Sequence, residues 1–297
     1  MGKLIQTTKV YSQFRNYVAL TKPKIILLLL LTALGGMFLA SNGVPEWTLI
    51  LVVLGGGALG SGGANALNHY MDRDIDEKMV RTRKRPVARG AIRPLNALVF
   101  GVALNICAFA ILYTYANLLS ALLTLGATLF YVFIYTMLLK RFTPQNIVIG
   151  GAAGAIPPLV GWAAVTGSLG LPAIYLFAVI FLWTPPHFWA LALMLKDDYA
   201  SASVPMLPVV AGVEKTKRHI FFYTLIVVAA TVMFFTTEAL SAVYLALAVA
   251  LGAGFIYYAW QLWKGPGIEK AKPMYLYSLA YLALLFLVIM FDSVLPV

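Results

Sequence analysis

Three oxygen-bearing side chains, Asn68, Asp72 and Asp76, recur every four residues at the start of the stretch NHYMDRDIDEKMVRTRKRPVARG, which ends at Gly90. On an α-helix this spacing places them on one face, with about 6 Å of rise between neighbours. Mg²⁺ binds a few carboxylate or amide oxygens and fills its remaining positions with water and substrate phosphate. The spacing therefore predicts a site for a metal-bound diphosphate.

The same stretch carries more bases than its carboxylates need, and a surplus of guanidinium groups suits a multiply charged anion. These bases are Arg81, Arg83, Lys84, Arg85, Arg89 and Arg93. The alternative is a solvated loop in which neighbouring acids and bases pair locally. We favour the diphosphate site because the Asn-Asp-Asp spacing is helical, and because a second acidic pair, Asp197 and Asp198, is also followed by bases.

Two aromatic side chains and one histidine are further candidates. Tyr131 and Tyr135 are four residues apart and could present their π faces to a developing carbocation, although tyrosines near a helix end also form interfacial belts. His187 lies in the apolar string WTPPHFWA, and ionisable residues inside a membrane are functional candidates by default. It could ligate a metal, act as an acid or base, or bond a carbonyl freed by Pro185 and Pro186.

Two other polar side chains have simpler expected roles. His69 follows Asn68 directly, and we expect it to cap a helix end at the surface. Cys107 is the single cysteine, so the sequence offers no disulfide framework and no cysteine metal site. We expect its side chain to be a small buried hydrophobe.

The elements that position these residues are membrane helices. Of 297 residues, 61% are hydrophobic and 11% are charged, which excludes a water-soluble domain with a polar surface. A helical crossing of about 30 Å of hydrocarbon takes roughly 20 apolar residues. Continuous rather than alternating apolar runs favour helices over a barrel. Nine such runs lie near 25–41, 47–70, 94–114, 117–139, 145–166, 172–195, 218–237, 240–262 and 274–296.

Threading the chain through nine spans places all 22 Lys and Arg residues on one side. The opposite side carries three acids, Glu46, Glu238 and Asp292. The positive-inside rule then predicts a cytoplasmic N-terminus, a C-terminus outside and a multi-pass protein of the cell membrane. The net charge of +11 follows from this topology and from attraction to anionic lipid, so we do not expect a nucleic-acid partner.

The chain reads as one membrane domain over residues 1–297, because no linker separates two modules. Two inner loops, 71–93 and 196–217, are long, begin with acids and continue into bases, and we expect them to be the catalytic loops on the cytoplasmic side. Their similar positions suggest a weak repeat of about four helices around a central cavity.

The stretch that begins at Asn68 resembles the N-x-x-x-D-x-x-x-D motif of the UbiA-type intramembrane prenyltransferases. Three further strings resemble the branch of that family that farnesylates haem B, and the resemblance extends from about residue 16 to 290. The strings are LTKPKI (20–25), LKRFTPQNIVIGGAAGAIPPLVGW (139–162) and WTPPHFWALALMLKDDYASASVPMLPVV (183–210). The implied fold is an all-α bundle of nine transmembrane helices around a central cavity.

The resemblance implies an Mg²⁺-dependent transfer of the farnesyl group of farnesyl diphosphate to a vinyl group of haem B, with addition of water, giving haem O. It assigns Mg²⁺-diphosphate binding to the Asn68 motif, and a second acidic site to Asp197 and Asp198, of which Asp198 would bind metal. The implied phosphate-binding bases are Arg81, Arg85, Lys140 and Arg141. The implied partners besides substrates and the lipid bilayer act in haem-copper oxidase assembly, haem A synthase among them.

Two other functions compete with this interpretation. A prenyltransferase for a quinone-type aromatic acceptor would share the Asp motifs but would not need His187 as a haem-binding residue. A membrane transporter would fit nine spans with broken helices. It predicts charged residues deep within the spans, whereas here the ionisable groups other than His187 cluster at helix ends.

Overall fold

The computed structural model of this protein describes the backbone of residues 2–295 and the side chains of residues 12–295, so the side chains of Lys3 and Lys9 and the predicted end of the last run at 296 lie outside it. Within that range, nine helices are long and apolar enough to cross a membrane, which confirms the predicted number. Spans 1 to 9 are Pro23–Ser41, Trp47–Met71, Pro94–Tyr115, Leu118–Phe142, Asn146–Thr166, Leu171–Met194, Val213–Thr237, Ala242–Lys264 and Ala271–Asp292.

Three spans change their geometry along their length. Span 4 is α-helical over Leu118–Leu129 and becomes a π-helix over Phe130–Leu139. Span 5 consists of two helices, Asn146–Ala155 and Pro157–Thr166. Span 7 is α-helical over Val213–Met233 and ends in a 3₁₀ turn, Phe234–Thr237.

The other helices described below all belong to one end of the bundle, which we call the inner end. The N-terminal helix precedes span 1, one short helix follows span 2, and two more lie between spans 6 and 7. They are Gly2–Thr21, Arg73–Lys78, Lys196–Ser201 and Leu207–Val210. The two long inner loops are therefore partly helical.

The paired prolines behave differently in the two spans that contain them. Pro157 begins the second helix of span 5, where its missing N–H costs nothing. Pro185 and Pro186 lie inside span 6, which continues as one helix from Leu171 to Met194. Neighbouring spans support this helix, which is the most buried of the nine.

Glycines let spans approach each other at backbone distance. A Cβ atom on Gly161 of span 5 would lie 2.0 Å from the carbonyl oxygen of Ala33 in span 1. A Cβ atom on Gly63 of span 2 would lie 2.7 Å from the carbonyl oxygen of Gly101 in span 3. Small residues at such crossings allow the close packing on which helix association in lipid depends.

Two sequence predictions about the spans are wrong. Span 7 begins at Val213 rather than near 218, so Lys217 is helical, and it is buried where it donates to the carbonyl oxygen of Gly265 at 2.8 Å. Cys107 is exposed rather than buried. An apolar side chain in a membrane span is stable against lipid as well as inside the bundle, and composition alone does not distinguish the two positions.

Candidate active site

The Asn68, Asp72 and Asp76 side chains form one buried stripe at the inner end. Span 2 ends at Met71, but the backbone hydrogen bonds continue, because Asp72 N–H bonds the Asn68 carbonyl at 2.9 Å and Asp76 N–H bonds that of Asp72 at 2.8 Å. The three side chains are 3%, 0% and 2% exposed. The four-residue spacing therefore places these oxygens on one face, as expected, although the helix is not regular throughout.

Three bases from separate segments contact this stripe. Lys140 Nζ lies 2.5 Å from Asp72 Oδ2, and Arg85 Nη1 donates to both oxygens of Asp76 at 2.8 and 2.9 Å. Lys22 Nζ donates to Asn68 Oδ1 at 2.8 Å. Lys22 directly precedes span 1, Arg85 lies in the loop after span 2, and Lys140 lies near the end of span 4. Such an alternation of carboxylates and bases suits an anion that is bridged to the protein by a cation.

The second acidic pair is divided between two environments. Asp198 accepts hydrogen bonds from the backbone N–H groups of Val80 and Arg81, each at 3.2 Å, so it joins the loop after span 2 to the loop after span 6. Asp197 is exposed. The fold thus brings one of the two acids toward the predicted site.

Arg141 and Arg81 occupy the edge of the cluster. Arg141 donates to both oxygens of Asp74 at 2.7 and 2.8 Å and to the Met71 carbonyl at 2.9 Å. The hydrogen bond from Arg141 lowers the pKa of the Asp74 carboxyl to about 2. Arg81 is exposed. Of the four predicted phosphate-binding bases, Arg85 and Lys140 therefore contact the buried stripe directly.

The π-helical part of span 4, together with Lys140 directly after it, positions four polar or aromatic side chains. A π-helix bonds residue i to i+5, so its turn is longer than the 3.6 residues of an α-helix. This wider turn aligns Tyr131, Tyr135, Thr136 and Lys140. The two tyrosine rings stack with centroids 5.5 Å apart, and Thr136 Oγ1 accepts a hydrogen bond from Asn68 Nδ2 at 3.1 Å. The tyrosines thus lie beside the acidic stripe.

Lys22 is held in an unusual backbone conformation. Its φ of 53° lies in the left-handed region, and it precedes Pro23, which restricts it further. Burial, and then the charge of Arg85, lower the pKa of the Lys22 ammonium to about 7. The strained turn directs this base toward Asn68.

The donor set fits a divalent cation. Asp72 Oδ1 is enclosed and has no hydrogen-bond partner among the described residues, and carboxylate and amide oxygens are ligands that Mg²⁺ accepts. Within the same residues, no three His, Cys, Asp or Glu side chains lie close enough to hold an ion by themselves. Lys140 and Arg85 pair with Asp72 and Asp76. A ligand anion would have to share these bases.

One of the three roles considered for His187, and the surface position expected for His69, are not found. His187 does not bond a carbonyl of its own helix; its Nδ1 lies 2.7 Å from Ser278 Oγ in span 9. His69 was expected at the surface, but it is 2% exposed, and neither ring nitrogen has a partner in the described chain. The surface prediction failed because the N-terminal helix and the loop after span 2 pack around the inner end of that span, where Leu20, Ala66 and Val87 form one apolar cluster.

Three residues at the candidate site were missed as functional by the sequence. Lys22 and Thr136 each form a hydrogen bond with Asn68, and Ser278 forms one with His187, so each contacts a predicted residue that is distant in the sequence. Lys22 carried one available signal, since it lies in the string LTKPKI that contributes to the family resemblance. Thr136 and Ser278 carried none.

Residues 29–291 match the model of the UbiA prenyltransferase family. A protein named protoheme IX farnesyltransferase from Synechocystis sp. is 49% identical to this chain, and the match covers 99% of this chain and 96% of the relative. A protein of the same name from Azotobacter vinelandii is 47% identical over 100% of this chain and 99% of its own.

Solved structures share the fold at low sequence identity. A structure described as digeranylgeranylglyceryl phosphate synthase superposes with a TM-score of 0.78 at 20% identity, covering 95% of this chain and 99% of its own. A UbiA homolog from Archaeoglobus fulgidus, bound to GPP and Mg²⁺, superposes with a TM-score of 0.70 at 18% identity, covering 92% and 99%. The chain is an all-helical membrane protein that belongs to the UbiA prenyltransferase family.

Proposed function

We propose that this protein transfers the farnesyl group of farnesyl diphosphate to a vinyl group of haem B, with addition of water, and so produces haem O and diphosphate. The observation that carries the proposal is the buried Asn68, Asp72 and Asp76 stripe facing Lys140 and Arg85, in a chain that is nearly half identical to proteins named protoheme IX farnesyltransferase. No observation on this chain favours a quinone-type acceptor or transport.

Diphosphate binding is assigned to the inner end. Arg85 and Lys140 would release part of their pairing with Asp76 and Asp72 and donate to phosphate oxygens. Asn68, Asp72 and Asp76, with Asp198 as a further ligand, would hold Mg²⁺, which when bound stabilises the charge that develops on the departing diphosphate. Arg141 and Arg81 would strengthen the positive field at the edge of the site.

The farnesyl chain would extend from this charged cluster into the apolar interior. Tyr131 and Tyr135 lie beside the stripe, and their π faces would stabilise positive charge on the allylic carbon. An apolar cavity of about 300 Å³ lies further along span 4, with Leu123 and Phe130 among its lining residues. Exclusion of water from this region would prevent early capture of the cation.

The reaction balances as an addition across the vinyl group. The C1–O bond of farnesyl diphosphate breaks, and its electron pair leaves with diphosphate. C1 then bonds the terminal vinyl carbon, which leaves positive charge on the inner vinyl carbon beside the porphyrin. A water oxygen bonds that carbon and releases a proton. The residues at the inner end bind and orient the diphosphate, while the aromatic side chains keep water away until the C–C bond has formed.

The orientation of the protein in the membrane follows from the distribution of its charged residues. The 22 bases of the chain all fall on the inner side of nine spans, and three acids fall on the other. By the positive-inside rule, the N-terminus, both long inner loops and the active site would face the cytoplasm, and the protein would reside in the cell membrane. Farnesyl diphosphate would then arrive from the cytoplasmic side.

Product analysis tests the proposal directly. Purified protein in detergent is mixed with Mg²⁺, farnesyl diphosphate and haem B, and the products are separated and weighed by mass spectrometry. We expect a haem that has gained one farnesyl group and one hydroxyl group, in amounts that fall to background when Mg²⁺ is chelated.

Two results would contradict the proposal. Diphosphate release with unmodified haem, together with prenylation of an aromatic acid offered in its place, would identify a quinone-type acceptor. Absence of farnesyl diphosphate turnover with every acceptor would favour a transporter.

A further inference from the structure

His187 is held in an aromatic enclosure between spans 6 and 9. The Trp183 ring stacks on the imidazole at 4.2 Å between centroids, with an angle of 17° between planes, and the Tyr275 ring stacks on it at 4.8 Å and 27°. Phe188 packs edge-on at 5.1 Å. Since stacked rings cover the flat sides of the imidazole, its polar contacts must be made in the ring plane, through the two nitrogens.

One of these nitrogens is committed to Ser278. His187 Nδ1 lies 2.7 Å from Ser278 Oγ, and the Ser278 hydroxyl donates to the Tyr275 carbonyl at 2.6 Å. A serine hydroxyl has a single proton to donate. Because that proton is directed at the carbonyl, Oγ must accept from His187, so Nδ1 carries the imidazole proton. The lone pair of the neutral ring then resides on Nε2.

Nε2 is available for a ligand. It has no hydrogen-bond partner among the described residues, yet it is absent from the fully enclosed unpartnered atoms, whereas both nitrogens of His69 are enclosed. His187 is 6% exposed as a whole, and part of that small accessible area belongs to Nε2. An in-plane, accessible lone pair on a ring fixed by its other nitrogen is the arrangement that metal-binding histidines use.

We propose that His187 Nε2 binds the iron of the haem substrate, and that Ser278 is a positioning residue that holds His187 in the tautomer required for this bond. The inference rests on the proposed function, since it takes haem B as the acceptor. Trp183 Nε1 donates to the Ser278 carbonyl at 2.9 Å, so the ring that stacks on His187 also anchors the backbone that orients it. Iron ligation would fix the porphyrin in the membrane interior while the farnesyl chain arrives from the inner end.

Absorption spectra and binding titrations test this inference. Purified wild-type protein is titrated with ferric haem B and, separately, with iron-free protoporphyrin IX. We expect the haem spectrum of a histidine-ligated iron in the wild type and its loss in His187→Ala. Ser278→Ala should weaken haem binding roughly 10-fold to 100-fold. It should leave the affinity for protoporphyrin IX unchanged, because that porphyrin has no iron to ligate.

Two further variants separate positioning from packing. Ser278→Thr keeps the hydroxyl and should restore the wild-type iron spectrum. Ser293→Ala removes a hydroxyl whose one bond within the described residues is to the Ile289 carbonyl, and it should change neither titration. If Ser278→Thr fails to fold, the two titrations of Ser278→Ala decide the question without it.

The outcomes distinguish this inference from the proposed function. An iron spectrum that His187→Ala does not change, or a Ser278→Ala variant that loses both porphyrins equally, would overturn the inference. If the inference is overturned in this way but the wild-type protein still farnesylates haem B, the proposed function stands. A wild-type protein that binds neither porphyrin and farnesylates no haem would contradict both.

Discussion

Two buried carboxylates stand at opposite ends of the bundle, and their surroundings differ. At the outer end, Asp292 accepts from the backbone N–H groups of Ser241 at 2.8 Å and Tyr244 at 3.1 Å, and also from the Ser241 hydroxyl. At the inner end, Asp72 Oδ2 is shared by Lys140 and Asn68, and Asp72 Oδ1 has no partner among the described residues. Both side chains are buried.

The difference indicates what each carboxylate does. Asp292 accepts hydrogen bonds from otherwise unpaired N–H groups at the start of span 8, as a capping residue does. Its carboxylate is therefore fully used in stabilising the fold. A buried polar atom without a partner is costly, and in a native protein it needs an explanation. For Asp72 we propose that a ligand supplies the missing contact. The comparison therefore separates a structural carboxylate from one that we propose to bind a ligand.

The largest expected effect is on catalysis at the inner end. Asp72→Asn keeps the size of the side chain but removes its charge. We expect turnover of farnesyl diphosphate to fall roughly 100-fold to 1000-fold, because charge stabilisation of the leaving group is lost. Steady-state assays of diphosphate release measure this change. An Asp72→Asn variant with near wild-type turnover would remove the distinction between the two carboxylates.

The second acidic pair sharpens the comparison. Asp198 bonds the loop that carries Arg81 and Arg85, whereas Asp197 is exposed. We expect Asp198→Asn to lower turnover roughly 100-fold, as for loss of one charged group at the site. Asp197→Asn serves as the matched control and should stay close to wild type. Equal losses in both variants would mean that the exposed acid also contacts the substrate.

At the outer end the expected effect is on stability. Asp292→Ala leaves the N–H groups of Ser241 and Tyr244 without their acceptor, and a buried unsatisfied group costs about 1–3 kcal/mol. We expect thermal or denaturant unfolding in detergent to report a loss of about 2 kcal/mol or more. Turnover per folded molecule should be unchanged. A variant with full stability and reduced turnover would contradict the structural role.

The smallest expected effect concerns the orientation of Asn68. Thr136→Val removes the hydroxyl that accepts from Asn68 Nδ2 and keeps a branched side chain of similar size. One neutral hydrogen bond contributes about 1 kcal/mol, so we expect turnover to fall roughly 5-fold. Thr231→Val is the control, since its hydroxyl bonds Tyr281 away from the inner end. A similar loss in the control would indicate a general packing effect.

The spans and the acidic stripe could be predicted from the sequence because both depend on local periodicity. The nine apolar runs correspond to the nine membrane spans of residues 2–295, and a four-residue spacing keeps Asn68 and Asp72 on one face even where the helix is irregular. The relation of His187 to Ser278 could not be predicted, because 91 residues separate them.

Other features depend on geometry that composition does not specify. The π-helix that directs Thr136 toward Asn68 is formed by ordinary apolar residues. Cys107 and His69 were placed wrongly for the same reason, since the sequence does not show which side of a span faces lipid and which faces another helix.

Ligand-induced stabilisation tests the central claim most directly, namely that Asp72 is left unsatisfied for a metal-bound diphosphate. The thermal unfolding midpoint is measured with and without Mg²⁺ and farnesyl diphosphate for the wild type, Asp72→Asn and Asp292→Ala. A ligand that binds only the folded protein raises its stability. We predict a rise for the wild type, a similar rise from a lower starting point for Asp292→Ala, and no rise for Asp72→Asn. An equal rise in Asp72→Asn would contradict the account.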